Sequence, residues 1–240
     1  MPYRSCRKKA VYVARKIEVV DYNPQWAKDF KAESKKIKEI LGKNCIGIHH
    51  IGSTAVKGMK AKPTIDMMAI VKDLSAVNEL LSKFDALGYE YKGEYGIRGR
   101  RFFTKGGTNH THHLHIYEEK NKKDTSRHLA VREYLNNHPE TAKEYGELKA
   151  KLAEEFTYDP DGYCNGKDAY VKELEQKAIK WTEKQMLLSN YVSMGMSLGM
   201  CIGMAIGMAG GNMVLGMSMG MCIGVAVGSV IGTLKNKKES

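Results

Sequence analysis

GIHHIGSTAVKGMKAKPTIDMMAIV, residues 47–71, decides how the rest of the chain is read. It opens as a short apolar strand to Ile51, breaks at Gly52-Ser53 into the start of a helix, and runs through a basic turn to Pro63. A second apolar run follows, with Asp66 set into it. A carboxylate inside a buried run costs several kcal/mol unless it is paired, hydrogen-bonded or bound to a metal. Asp66 is therefore the residue that the surrounding sequence has to account for.

Upstream, residues 1–16 carry six Lys or Arg and little to pack, which predicts a basic arm without the apolar centre of a signal peptide. IEVVDY at 17–22 has strand character, and Asn23-Pro24 marks a turn into a helix over 25–41. There Trp26, Phe30, Ile37, Ile40 and Leu41 recur at helical spacing. Downstream, Ser75 is placed to cap a helix to Leu87, which Gly88 stops. Residues 89–107 read as strand, glycine-rich loop, strand, and HLHIYE at 113–118 as a further strand. Helices are expected over 126–136 and 139–155, and from near Gly166 through Trp181 towards Leu188. The pattern predicts an α/β (α+β) domain over 17–188, a mixed sheet flanked by helices, with the strand order left open.

The formal charge of +11 favours anionic partners. No Walker A motif is present, so a kinase is not expected, and without a helix-turn-helix or zinc-finger pattern no specific nucleic-acid recognition is expected either. Five scattered cysteines, odd in number and without a C-x-x-C pair, suit a reducing, cytoplasmic compartment.

Beyond residue 190 the composition changes. No charged residue occurs between Tyr191 and Leu234, and glycine recurs at 195, 199, 203 and 207, then at 216, 220, 224, 228 and 232. Steps of four place each run on one helical face, and Ala209-Gly210-Gly211-Asn212 is a turn signal. The expectation is a small-xxx-small helical hairpin over 191–234, followed by a basic tail at 235–240. One reading is a membrane hairpin anchored to the cytoplasmic face, with Lys177, Lys180 and Lys184 before it and Lys235, Lys237 and Lys238 after it on one side. The other is a glycine zipper that forms a homo-oligomer.

For a nucleotide ligand, Gly52-Ser53 at a helix start would let backbone N–H groups approach a phosphate, and Asp66 would hold a Mg²⁺ or Mn²⁺ bridging phosphate oxygens. The plain alternative is a structural Gly-Ser turn. His113 and His115 sit two apart on one strand, hence on one face, and with His110 and His112 they could ligate a metal or simply be solvated. His50, beside Gly52, is placed to meet a bound anion. Arg98, Arg100, Arg101 and Lys105 form the densest internal basic cluster, suited to gripping phosphate or to blunting a sheet edge.

The run His50-Ile51-Gly52-Ser53-Thr54-Ala55-Val56, with Gly58, Lys62-Pro63, Ile65-Asp66, Gly88-Tyr89, Arg101-Phe102-Phe103, Leu114-His115-Ile116, Arg132-Glu133-Tyr134-Leu135, Tyr163 and Lys167, resembles the signature of the GrpB-like family, whose members have a nucleotidyltransferase-type fold. The resemblance covers about residues 17–182. It implies metal-dependent transfer of a nucleotidyl group to an acceptor, with Asp66 catalytic and on the metal; His113 and His115, which share a strand face, are expected to complete the metal site in place of a missing carboxylate, His115 with a catalytic role. His50, Gly52, Ser53, Thr54, Lys62 and Arg101 would contact the phosphorylated substrate. Enzymes of that type carry a second carboxylate on the same strand, separated from the first by one residue. Here position 68 is methionine, and Lys57 stands where proline is usual. Glu94 and Glu118 are the acids available to compensate. The alternative is an inactive nucleotide- or anion-binding module, tethered to a membrane or an oligomer by the glycine-rich tail.

Overall fold

The computed structural model describes residues 16–238, so the expected basic arm falls outside them except for Lys16, as do the last two residues of the basic tail. The described chain forms two compact units, Met1–Glu175 and Gln176–Ser240.

In the first unit α1 (Gln25–Leu41) follows a turn in which Asn23 Oδ1 accepts from the Gln25 N–H at 2.9 Å, and it buries Trp26, Ile37 and Leu41. The strands β1 (Cys45–Ile51), β2 (Ile65–Val71), β3 (Tyr89–Tyr91), β4 (Arg100–Lys105) and β5 (His112–Glu118) make a mixed sheet in the order β1-β2-β5-β4-β3. Only β2 and β5 run parallel, with Asp66 opposite His113 and Met68 opposite His115. The helix α2 (Leu81–Ala86) joins α1 over one face, where Ile65, Met67, Ala69 and Val71 of β2 meet Leu114 and Ile116 of β5. Burying each of these side chains other than Ala69 is worth about 1.5–3 kcal/mol. Alternation turns Asp66, Met68, His113 and His115 to the opposite face, towards α3 (Lys122–Asn137), α4 (Pro139–Glu155) and the start of α5 (Pro160–Ala209).

Several local expectations are corrected. Residues 17–22 make a single bridge, Val20 to Ala61, rather than a strand, because their other side chains are held elsewhere: Ile17 packs with Leu152 and Tyr163. Gly52-Ser53 opens no α-helix. The turn Ser53–Ala55 is one 3-10 turn, and Val56 is already extended. The chain doubles back so that β2 pairs antiparallel with β1, Ile51 opposite Asp66, and the connection runs extended to bridge Val20 at Ala61 rather than coiling into a helix. Asp73 rather than Ser75 caps the turn at 75–80, its Oδ1 accepting from the Ser75 N–H at 2.8 Å. Helix α3 begins four residues early, capped by Asn121, and α5 begins at Pro160 and runs 50 residues without a break near 188–191.

Within the second unit, the later part of α5 lies against α6 (Met213–Lys238). Gly211, at φ +78°, makes the reversal, and Asn212 Oδ1 accepts from the Leu215 N–H at 3.0 Å to cap α6. Both helices contain segments long and apolar enough to cross a membrane.

Candidate functional site

Asp66 is half-buried on β2 and its carboxylate is already occupied: His113 Nδ1 lies 2.9 Å from Oδ1. His113 Nε2 in turn meets His110 Nδ1 at 3.1 Å. Burial pushes the Asp66 carboxyl up, but the hydrogen bond and charge of His113, with His115 and Lys62, outweigh it and hold the carboxyl below its usual range. The cost anticipated for an acid in an apolar run is thus met by a neighbouring strand. Parallel pairing of β2 and β5 puts the two side chains in register.

Gly52 lies directly against this carboxylate. Its φ is +68°, and a Cβ there would come 2.5 Å from Asp66 Oδ2. Only glycine allows both the conformation and the approach. Ser53 is half-buried in the same turn, whereas Thr54 is buried, its hydroxyl 3.0 Å from His50 Nε2 and 3.4 Å from the Thr64 carbonyl.

His50 is not beside Asp66. Paired with Met67 in the antiparallel register, it faces α1 and stacks on Phe30 at 4.8 Å between ring centroids. Burial, with the Arg132 charge acting the same way against Asp66, lowers its pKa to about 4. Arg132 docks α3 on β1 by donating to the His50 carbonyl at 3.0 Å.

Arg101 also points away from Asp66, donating to Asn78 Oδ1 at 2.9 Å, and its neighbour Arg100 takes the place beside the histidines. Arg100 is 5 % exposed. It donates to the Tyr95 carbonyl at 2.7 Å, the Glu94 carbonyl at 3.2 Å and His115 Nδ1 at 3.2 Å, and lies 4.7 Å over the Phe102 ring. A guanidinium only donates, so His115 Nδ1 accepts and the imidazole proton sits on Nε2. Burial drives the His115 pKa down to about 3 despite Asp66, leaving the ring neutral.

The acids expected to replace a second carboxylate do not converge on Asp66. Glu94 accepts from the Gly99 N–H at 2.7 Å, and Glu118 pairs with Lys120 at 2.7 Å on the other side of β5. Met68 is fully buried between Ile51 and Tyr117. Among the described residues no group of three His, Cys, Asp or Glu side chains is disposed to hold a metal ion. The donor set therefore does not fit a two-metal clamp.

A cationic cluster lies within electrostatic reach of Asp66. Lys62 and Lys167 place their ammonium groups 4.9 and 5.0 Å from the Tyr163 ring centroid. Lys149, on the buried face of α4, is 3 % exposed, donates to the Lys60 carbonyl at 2.7 Å and sits 4.8 Å over the Tyr145 ring. Burial first, then the positive charges of Lys167 and Lys62 against the pull of Asp66, bring its pKa down to about 7. Sequence reading passed over Lys149, although it falls four residues after Tyr145 and three before Leu152 on the apolar face of its helix. Arg100 belongs to the basic cluster named from the sequence, but the family pattern favours Arg101; alternation with Phe102 is the signal that singles out Arg100.

The mixed five-stranded sheet, with Asp66 on its second strand and helices flanking it, is an α+β fold. The GrpB protein family matches residues 16–177, and the chain belongs to that family. It is similar to UPF0157 protein YqkA of Bacillus subtilis, 44 % identical over 171 residues, covering 71 % of this chain and 50 % of the relative, so it spans about half that relative's length. It is 35 % identical to UPF0157 protein PA4798 of Pseudomonas aeruginosa over 181 residues, 74 % of each chain. The crystal structure of the conserved protein GrpB from Enterococcus faecalis superposes with a TM-score of 0.67 at 42 % identity, covering 69 % of this chain and 99 % of that one.

Proposed function

We propose that the first unit binds a phosphorylated small molecule or nucleotide through Lys62 and Lys167, over the Tyr163 ring, and Lys149, over the Tyr145 ring, and does so without two-metal nucleotidyl transfer. The observation that carries this reading is Lys149: an ammonium buried on α4, 2.7 Å from the Lys60 carbonyl, that feels the positive charges of Lys167 and Lys62. Such a charge is expensive without a counter-ion, and a phosphate oxyanion supplies one. Gly52 lies against the Asp66 carboxylate, and the turn it opens with Ser53 offers backbone N–H groups rather than a helix dipole. The four free cysteines among the described residues accord with a cytoplasmic setting.

Transfer chemistry is the second reading, favoured by Asp66 itself, which is ionised and lies next to the glycine turn. A Mg²⁺ or Mn²⁺ there would have one protein carboxylate and would take its other ligands from phosphate and water. Calorimetric titration of the full chain with inorganic triphosphate and nucleoside triphosphates, with and without Mg²⁺, separates the two. Metal-independent binding weakened roughly tenfold by Lys62→Ala, about the worth of one charge-assisted contact, supports the anion module. Binding that needs metal, disappears in Asp66→Ala and proceeds with pyrophosphate release supports transfer.

A further inference from the structure

The glycines of the second unit are spent on each other. A Cβ added at Gly195, Gly199 or Gly203 would overlap the carbonyl oxygen of Gly224, Gly220 or Gly216 respectively, and at Gly199 it would also lie 2.9 Å from Gly224 Cα. The reciprocal positions on α6 are equally closed, and Gly203, Gly207, Gly224, Gly228 and Gly232 are buried. A seam this tight within one chain is not available to a second copy.

What faces outward is apolar. Leu198, Ile202 and Ile206 on one helix and Met219, Ile223 and Val227 on the other are each more than half exposed, and they wall a groove of about 320 Å³ floored by seam glycines. Apolar exposure along the uncharged part of α5 and along α6 is more than the few hundred Å² that a soluble monomer usually shows in one patch. At 1.5 Å per residue, the helix from Tyr191 to Ala209 spans about 28 Å and that from Met213 to Leu234 about 33 Å, close to the roughly 30 Å of a bilayer's hydrocarbon core. The open end of the hairpin carries the charge. Lys235 lies 5.7 Å over the Tyr191 ring, Asn236 donates to the Lys184 carbonyl at 3.3 Å, and Lys177 and Lys180 precede them. Lysine with tyrosine at one end of an uncharged span is the arrangement of a membrane–water boundary.

We propose that residues 191–234 insert in a lipid bilayer as a monomeric hairpin. Its glycine seam is closed within the chain, its outer Leu, Ile, Met and Val surface meets acyl chains, and its lysine-bearing end rests on anionic headgroups. The reading is independent of what the first unit binds. The test uses the full chain with vesicles of phosphatidylcholine, with or without phosphatidylglycerol, and a membrane-impermeant maleimide. Cys164, Cys201 and Cys222 are all exposed in the protein itself. Insertion predicts that the chain floats with the vesicles through a high-salt wash, and that Cys201 and Cys222 are protected while Cys164 is labelled. Lys180→Glu with Lys184→Glu is expected to lower partition into the anionic vesicles roughly tenfold or more. Two differently tagged copies should not co-purify from detergent. A chain that stays in solution with all three thiols labelled alike overturns the proposal. So does co-purification of tagged copies that Gly199→Leu abolishes, which would assign the seam to a second copy.

Discussion

Replacing Lys149 by methionine is expected to stabilise the protein at neutral pH while weakening its hold on anions. The native ammonium has a pKa of about 7 against an ordinary value of 10.5, a gap that costs the folded state roughly 4 kcal/mol at pH 7. Methionine fills nearly the same volume without the charge. It forfeits the hydrogen bond to the Lys60 carbonyl and the contact with the Tyr145 ring, worth about 1 kcal/mol each. The net gain is about 2 kcal/mol. The pH dependence fixes the cause. An unfolded chain keeps the Lys149 proton up to 10.5 whereas the native chain releases it near 7, so this residue makes wild-type stability climb with pH across that window. The climb reaches about 1.4 kcal/mol per pH unit, and the penalty is fully present below it. Urea unfolding followed by the fluorescence of Trp26, buried in the first unit, in a Trp181→Phe background reads both quantities. A variant less stable than wild type at pH 7, or one that retains the wild-type slope, would refute the reasoning. Unchanged triphosphate affinity would separate the buried charge from any ligand.

Three other outcomes follow from the same geometry. Gly52→Ala should cost about 2–4 kcal/mol, since its Cβ would meet Asp66 Oδ2 at a positive φ; a double-mutant cycle with Asp66→Ala in urea unfolding should show coupling of at least 1 kcal/mol. Met68→Asp, which writes in the carboxylate of transfer enzymes, should destabilise by about 3 kcal/mol or more because the site is fully buried among Ile51 and Tyr117, and it should create no Mg²⁺-dependent pyrophosphate release. Asp66→Asn should lower stability by about 1–3 kcal/mol at pH 7. The carboxyl is held below its ordinary pKa of 3.8, so its contribution is complete above that value and fades as pH falls through the folded one; thermal melts of the two proteins should converge in acid.

Arg100 and Arg101 mark the boundary of what the strand pattern could say. Both were visible as a basic pair at the start of a strand, and alternation sends one to each face, but which face holds the histidines depends on register with β5. The family resemblance favoured Arg101, and packing turned Arg100 inward. His50 shows the same limit: adjacent to the glycine turn in sequence, it is on the far side of the sheet because β1 pairs Ile51, not His50, with Asp66.

By itself the sequence determined that the chain has an α+β domain built on residues 47–71, that Asp66 needs a partner, that position 68 lacks a second acid, and that an uncharged glycine-periodic hairpin follows. Each of these rests on composition or on spacing along one element, which local chemistry fixes, except the missing acid at 68, which rests on the family resemblance. Only the tertiary structure decided that the partner of Asp66 is His113, that Lys149 stands buried beside Lys62 and Lys167, and that the glycine faces of the hairpin close on each other. Those facts depend on which strands and helices become neighbours. Pairing between residues as distant as 66 and 113 is set by the packing of the whole sheet, and no local pattern encodes it.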